Sequence, residues 1–198
     1  MLDTGCRPLT AEEFDKITNS LKGEFRSRNK ALFTLARYTG YRIAELLSLR
    51  VGDVYDGNVI RKSVSVSREN MKGKHIGRTL PLHHIAAEAL HEWITVAGLT
   101  ALEMAQHPIF PSRKGDSAIT STAAWMILQK TALQAGVDLD RLGTHSFRKL
   151  FATTMWSSPF VNRDMAKMSK LLGHTHFSST IRYLQFVDGS LESAVLAA

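Results

Sequence analysis

Five side chains, spread along the chain, could together perform chemistry on a phosphodiester. They are two histidines, two arginines and a tyrosine: Arg42, His145, Arg148, His174 and Tyr183. A phenolic hydroxyl can attack phosphorus, and fixed cations around it can stabilise the charge that builds on the phosphate oxygens. Because a phenol with a pKa near 10 is a weak nucleophile at neutral pH, it needs a base or a strongly positive pocket. The residue types therefore favour phosphoryl transfer through a covalent tyrosine.

Each of these residues also has a purely structural interpretation. His145 and Arg148, three apart, would share one face of a helix, where a guanidinium fork can hold two phosphate oxygens. The same pair could instead be an arginine bound to a carboxylate and a histidine at a helix cap. Arg42 follows Gly40 in an apolar neighbourhood, where an arginine is costly to half-bury without an anion. Glu45, one turn on, could be that anion or could fix the geometry of Arg42 for phosphate.

The last two candidates are weaker when taken one at a time. His174 follows Gly173, a glycine that is typical of a helix end, so this histidine should begin a loop. It could equally be an ordinary exposed histidine, as neighbouring His176 could be. Tyr183 lies off the apolar stripe marked by Ile181 and Leu184, as a surface tyrosine would.

Apolar spacing predicts the elements that must position these residues. A capping box at Thr10 and Glu13 opens the first helix, which ends at Gly23. Further helices are expected over residues 27–38, 42–49, 85–97, 121–135 with a Ser121 cap, 145–156, 162–172, a short segment capped by Ser178 or Ser179 that carries Tyr183, and the terminal residues 191–198.

The periodicity changes to two in the middle of the chain. Alternation predicts strands over residues 59–67 and 76–81, joined by the basic loop 68–75 with Lys72 or Lys74 near its tip. The predicted fold is therefore mainly α (an α+β arrangement) with a small antiparallel β-hairpin. We see no repeat or linker and expect one domain over residues 1–198.

Composition narrows the class of partner. The chain has 198 residues, 44% of them hydrophobic, and a net charge of +7 spread along its length, which favours a polyanion such as DNA. We expect no membrane-spanning segment, no secretion signal and a cytoplasmic location. A single cysteine, Cys6, excludes an internal disulfide, and no spacing suggests a zinc or two-metal site, so we expect no metal and no cofactor.

The order and spacing of the motifs resemble those of the tyrosine recombinases, the phage integrase family. The resemblance covers about residues 8–187. It rests on Thr39-Gly40-Tyr41-Arg42, the lysine hairpin before Leu80-Pro81-Leu82, His145-x-x-Arg148, Leu172-Gly173-His174 and Tyr183. It implies a helical catalytic domain that cleaves and rejoins DNA without a metal or ATP.

The resemblance also implies a role for each matching residue. Tyr183 would attack the DNA and form a 3′-phosphotyrosyl link, while Arg42 and Arg148 would clamp the scissile phosphate. His145 and His174 would occupy the family's two histidine positions. Lys72, with Lys74 as its rival, would be the lysine that protonates the leaving oxygen. Glu45 would support Arg42. The residues expected to bind DNA are Lys72, Lys74, Arg78 and Lys149.

Two features depart from the family pattern. Lys149 stands where the family commonly has a histidine directly after its second arginine. The catalytic pattern also begins almost at once, so we expect no N-terminal DNA-clasping domain in this chain, as in a compact recombinase or a fragment of a longer protein.

Three functions are compatible with these residues. The first is a site-specific recombinase that assembles as a multimer on paired sites of double-stranded DNA. In that assembly, residues 191–198 could dock on a neighbouring subunit, or they could pack on their own domain. The second is a relaxing topoisomerase that acts alone. The third is a non-catalytic DNA-binding protein, which would be expected to lose one of the cationic positions or the tyrosine; none is lost here.

Overall fold

The computed structural model describes residues 5–67, 77–115, 117–174 and 176–184. Within these ranges the chain forms α-helices, one 3-10 helix (Leu102–Gln106) and a two-stranded sheet. The helices are α1 (Ala11–Asn19), α2 (Arg26–Thr39), α3 (Ile43–Leu47), α4 (Val51–Val54), α5 (His84–Val96), α6 (Ser121–Gln134), α7 (His145–Trp156), α8 (Met165–Leu172) and α9 (Phe177–Leu184). The strands are β1 (Ser63–Val66) and β2 (Arg78–Pro81). The predicted mainly helical fold with a small antiparallel sheet is confirmed.

Helix α2 is the central element of the core. It packs against α5 on one side and α7 on the other, and its apolar residues are almost all buried. The rings of Phe33 on α2 and Phe147 on α7 have centroids 4.9 Å apart. This contact fixes the first turn of α7, which carries His145 and Arg148, against the helix that leads into Gly40.

The helix ends follow the expected chemistry. The Thr10 hydroxyl accepts a hydrogen bond from the Glu13 backbone, and the Glu13 carboxylate accepts one from the Thr10 backbone. Such a cap stabilises a helix by about 1 kcal/mol. Gly40 ends α2 and Gly173 ends α8, and both are in the left-handed conformation that glycine adopts at little cost.

The two strands form the predicted antiparallel pair. Val64 lies opposite Leu80, and Val66 lies opposite Arg78. These four side chains are buried, whereas Ser65 and Thr79 face outward and hydrogen-bond to each other at 2.7 Å. The predicted loop between the strands, with Lys72 and Lys74, lies outside the described residues.

Helices α7, α8 and α9 enclose a smaller apolar cluster around Phe151, Trp156, Met168, Leu172 and Leu184. This cluster attaches the helix that carries Tyr183 to the helix that carries Arg148. The predicted helix over residues 191–198 lies outside the described residues.

Several element boundaries differ from the predicted ones. Helix α1 ends at Asn19 rather than at Gly23, and α9 begins at Phe177, ahead of the predicted caps at Ser178 or Ser179. The first strand begins at Ser63 rather than residue 59, because the chain from Tyr55 to Ile60 forms its own tight turn. Helix α6 is capped by Thr120, not Ser121. Helix α8 begins at Met165 rather than residue 162, because Asn162 and Arg163 have positive φ angles of 50° and 55° and Asp164 then caps the helix.

In the part of the chain that the structure describes, no helix combines the length and the apolar character needed to cross a membrane.

Candidate active site

Arg42 and Glu45 form a bidentate unit at the start of α3. The Glu45 carboxylate accepts from the Arg42 backbone N–H and from its Nη1, both at 2.8 Å. Arg42 is the residue before α3, rather than part of its first turn as expected. Its side chain is 33% exposed, so its outer guanidinium nitrogens can still meet a ligand. Glu45 therefore binds Arg42 and fixes the direction of its side chain, whereas a role of Arg42 in binding phosphate stays a prediction.

Glu45 is buried, with 2% of its surface exposed, yet it stays ionised. Burial alone would raise its pKa, but the two hydrogen bonds from Arg42 and the charges of Arg148 and Arg42 outweigh burial and hold the pKa below its ordinary value. Glu45 thus carries a negative charge next to Arg42 at neutral pH.

Arg148 joins three motifs that are far apart in the sequence. Its Nη1 donates to the Gly40 carbonyl, and its Nη2 donates to the Leu172 carbonyl at 2.6 Å and contacts Nε2 of His174 at 3.1 Å. Only 1% of its surface is exposed. The Leu172 carbonyl belongs to the last turn of α8, the negative end of that helix, which favours a cation. Arg148 therefore fixes the spacing between the Arg42 segment and the His174 segment.

Gly40 is required where Arg148 meets α2. Its φ is +58°, and a Cβ at this position would collide with the ring of Phe151 on α7. Only glycine lets the chain turn here while its carbonyl accepts from Arg148.

His174 is held by hydrogen bonds on both ring nitrogens. Because arginine can only donate, Nε2 accepts from Arg148, and Nδ1 must then carry the proton that is donated to Oγ1 of Thr180, 2.9 Å away. The Thr180 hydroxyl also contacts Oγ of Ser169 at 2.8 Å. These bonds link α8 to α9, three residues before Tyr183, and they select the Nδ1–H tautomer of His174.

His145 begins α7, next to the same cations. Part of His145 is exposed at the surface, but the protein packed around the ring removes some of its water. This desolvation, together with the charges of Arg148, Arg42 and Lys149, lowers the pKa of His145. The three positive charges act in the same direction, and the negative charge of Glu45 acts against them. His145 is therefore neutral at neutral pH and can accept a proton.

Two parts of the predicted site are described incompletely or not at all. Tyr183 lies in α9, but the placement of its side chain lies outside the described part of the chain. Lys72 and Lys74 lie wholly outside the described residues. Their roles stay predictions.

Arg78 and Lys149, which were expected to bind DNA, are both buried, and their binding of DNA stays a prediction. Arg78 is 8% exposed and Lys149 is 7% exposed. Arg78 is buried because it lies on the inward side of β2. Lys149 is buried because it lies on the face of α7 that packs into the core. Among the described residues, no group of three or more His, Cys, Asp or Glu side chains lies close enough to hold a metal ion.

Thr180 was not identified from the sequence as part of the site. The structural role of Arg148 in joining distant segments of the chain was not identified from the sequence either. Thr180 is fully buried and lies one helical turn before Tyr183, and that spacing was a usable signal. Nothing in the sequence indicates that Arg148 binds backbone carbonyls from two distant segments.

These motifs agree with the comparisons with known proteins. Residues 7–188 match the model of the phage integrase family, so the chain belongs to that family. It is 26% identical over 187 residues to the tyrosine recombinase XerC of Caldanaerobacter subterraneus subsp. tengcongensis, covering 94% of this chain and 49% of that protein. It is 30% identical over 182 residues to the XerC of Herpetosiphon aurantiacus, covering 89% of this chain and 55% of that protein. The chain thus spans about half the length of the curated relatives it matches.

The fold is similar to that of solved recombinases. A post-cleavage complex of the XerH site-specific recombinase with its palindromic difH substrate superposes with a TM-score of 0.72 at 25% identity, covering 96% of this chain and 52% of that one. A lambda integrase dimer bound to a core site superposes with a TM-score of 0.68 at 16% identity, covering 96% of this chain and 51% of that one, and this likeness concerns the fold alone.

Proposed function

We propose that this chain is the catalytic part of a site-specific DNA recombinase that cleaves and rejoins strands through a 3′-phosphotyrosine. The observation that supports this most directly is the position of Arg148. Its guanidinium bonds to the Gly40 and Leu172 carbonyls and to His174, which draws the separate motifs into one cationic site. Membership of the phage integrase family and the likeness to DNA-bound recombinases support the same function.

In the proposed reaction, the Tyr183 oxygen attacks the scissile phosphorus. A P–O bond to Tyr183 forms and the bond from phosphorus to the 5′ oxygen of the next nucleotide breaks. Arg42, oriented by Glu45, and Arg148 stabilise the charge on the non-bridging oxygens. Because the energy of the broken ester is kept in the phosphotyrosine, attack by another 5′-hydroxyl rejoins the DNA without an external energy source.

Two proton transfers accompany the bond changes. Because burial and the neighbouring cations lower the pKa of His145, its imidazole is neutral at neutral pH and is in the form that can accept the phenolic proton. Lys72, or its rival Lys74, would give a proton to the leaving 5′ oxygen. The proposed substrate is double-stranded DNA, bound by a multimer on paired sites, and the proposed location is the cytoplasm.

Covalent trapping tests this function. The protein is incubated with a pool of nicked duplexes whose core sequence is randomised, so that the released strand diffuses away and the adduct accumulates. We expect a denaturation-resistant protein–DNA adduct, and sequencing of the attached strands would report the preferred site. Tyr183→Phe should abolish the adduct, whereas Tyr55→Phe, which removes a phenolic hydroxyl elsewhere, should leave it unchanged.

Two results of the trapping experiment would overturn the proposal. One is DNA binding without an adduct on any duplex of the pool, which would indicate a binding protein on this fold. The other is an adduct that persists in Tyr183→Phe, which would assign the nucleophile elsewhere. Relaxation of supercoiled DNA by the monomer at random sites would indicate a topoisomerase instead.

A further inference from the structure

Arg78 is buried in a place where an apolar side chain would be expected. It lies on the inward side of β2, and the neighbouring inward residues of the sheet are Val64, Val66 and Leu80. Its guanidinium lies over the ring of Tyr41, 3.9 Å from the centroid. Burial lowers the pKa of Arg78, which expresses the cost of keeping its charge away from water.

The packing of the sheet does not account for this charge. In the described part of the chain, Nε and Nη2 of Arg78 are buried and have no hydrogen-bond partner. A buried ion with incomplete partners stabilises a fold less than an apolar side chain of similar volume would. The position therefore calls for an explanation beyond stability.

The two ends of the guanidinium point at two parts of the candidate site. Nη2 lies 3.9 Å from Oε2 of Glu45, the same oxygen that accepts from the Arg42 backbone. Nη1 donates to the Leu171 carbonyl at 2.7 Å, three residues before His174. Arg78 thus contacts the carboxylate that orients one phosphate ligand and the helix end that presents another.

Tyr41 holds Arg78 in this orientation. Its ring supports the guanidinium, and its hydroxyl donates to the backbone carbonyls of Val64 and of Arg78 itself. Tyr41 is 1% exposed and directly precedes Arg42. A displacement of Arg78 would therefore disturb Tyr41, which precedes Arg42 in the chain, and Glu45, which binds the Arg42 side chain.

We propose that Arg78 is a positioning residue for strand cleavage. It acts through Glu45 on Arg42 and through Leu171 on His174, and it does not touch the DNA. This inference rests on the proposed recombinase function. It is an alternative to the expectation that Arg78 binds DNA directly.

The first test separates positioning from DNA contact. Arg78→Met keeps the volume and removes the charge, and Arg78→Lys keeps the charge but can reach only one of the two partners. We expect the single-turnover rate of adduct formation at saturating DNA to fall by up to about 100-fold in Arg78→Met and by less in Arg78→Lys. The dissociation constant and its salt dependence should stay as in the wild type.

Two outcomes of that test would overturn the proposal. The first is weaker DNA binding at an unchanged cleavage rate, with the slope of the log binding constant against log salt concentration reduced by about one. This result would make Arg78 a DNA contact. The matched control is Arg28→Met, because Arg28 is also buried but bonds to the Pro111 carbonyl and to Asn29. An equal loss of cleavage rate in Arg28→Met, at an equal loss of thermal stability, would reduce Arg78 to a structural role.

The second test needs no DNA and separates this inference from the recombinase proposal. Nuclear magnetic resonance can measure rotation of the Arg42 guanidinium about its Cζ–Nε bond, which the contact with Glu45 slows. We expect Arg78→Met to accelerate this rotation and to shift the His174 ring resonances, and Arg28→Met to change neither. If Arg42 and His174 are unchanged in Arg78→Met, Arg78 does not position them, whatever the trapping experiment shows about the function.

Discussion

Arg42 and Arg148 carry the same chemical group and are expected to bind the same phosphate, but the protein surrounds them differently. Arg42 is partly exposed and is oriented by one carboxylate, that of Glu45. Arg148 is almost fully buried, and it hydrogen-bonds to two backbone carbonyls and to a ring nitrogen of His174. The first arginine is oriented by an ion pair, whereas the second is part of the framework.

This difference separates two ways of building a cationic site. A carboxylate partner fixes the direction of a guanidinium but compensates part of its charge. Carbonyl partners hold a guanidinium through dipoles and carry no opposite charge of their own. The pair therefore combines a partly exposed cation, oriented by Glu45, with a buried cation that ties α2, α7 and α8 together.

The largest expected effect is on stability, at Arg148. Arg148→Met removes the bonds to Gly40, Leu172 and His174 at once, and we expect the free energy of unfolding to fall by about 3–5 kcal/mol. Arg42→Met should cost only about 1–2 kcal/mol, because Arg42 is partly solvated and Glu45 keeps its bond to the backbone. Urea unfolding of both variants measures the difference. Equal losses would contradict the distinction between framework and surface arginine.

The second prediction concerns Glu45, the partner of Arg42, and the loss of folding stability that its protonation causes at acidic pH. Its folded pKa lies below the ordinary value of 4.5, so its contribution is present above that pH and is lost as the pH falls through the folded pKa. We expect Glu45→Gln to be less stable than the wild type by about 2 kcal/mol at pH 7. The gap should close on acidification, as urea unfolding at a series of pH values would show. A gap of constant size would mean that Glu45 is not ionised in the fold.

The third prediction concerns the histidine that contacts Arg148. Thr180→Val keeps the shape of the side chain but removes the acceptor for the Nδ1–H of His174 and the partner of Ser169. We expect a loss of about 1–2 kcal/mol in stability. The ¹⁵N shifts of the His174 ring should also report a smaller fraction of the Nδ1–H tautomer. Thr153→Val, which removes a hydroxyl that donates to the Leu150 carbonyl of its own helix, is the control. An unchanged tautomer would show that Arg148 alone selects it.

The smallest expected effect is the pH dependence of His145, which both arginines influence. Because its folded pKa lies below the ordinary value of 6.5, the folded protein loses stability as the pH falls from that value toward the folded pKa. The slope should be well below the one-proton limit of about 1.4 kcal/mol per pH unit, because solvent screens an exposed ring. Comparison of the wild type with His145→Gln isolates this slope. Arg42→Met should raise the pKa of His145, and an unchanged value would place Arg42 too far away to act.

Much of the architecture could be predicted from the sequence, because local signals determine it. The capping box at Thr10 and Glu13, the glycine stops at Gly40 and Gly173 and the helix from His145 to Trp156 follow from hydrogen bonding and periodicity within a few residues. The boundaries that failed depend on nearby geometry that periodicity does not encode, such as the positive φ angles before Asp164.

The candidate site shows the same division. The sequence by itself determined which residue types were available and their order, since the motifs around Arg42, Arg148 and His174 are continuous stretches of chain. Only the tertiary structure decided what each side chain bonds to. The bonds of Arg148 cross separations of 108 and 24 residues to Gly40 and Leu172, and Arg78 faces the interior because of strand register. Such contacts depend on how α2, β2, α7 and α8 pack together, and no local pattern of residues encodes that packing.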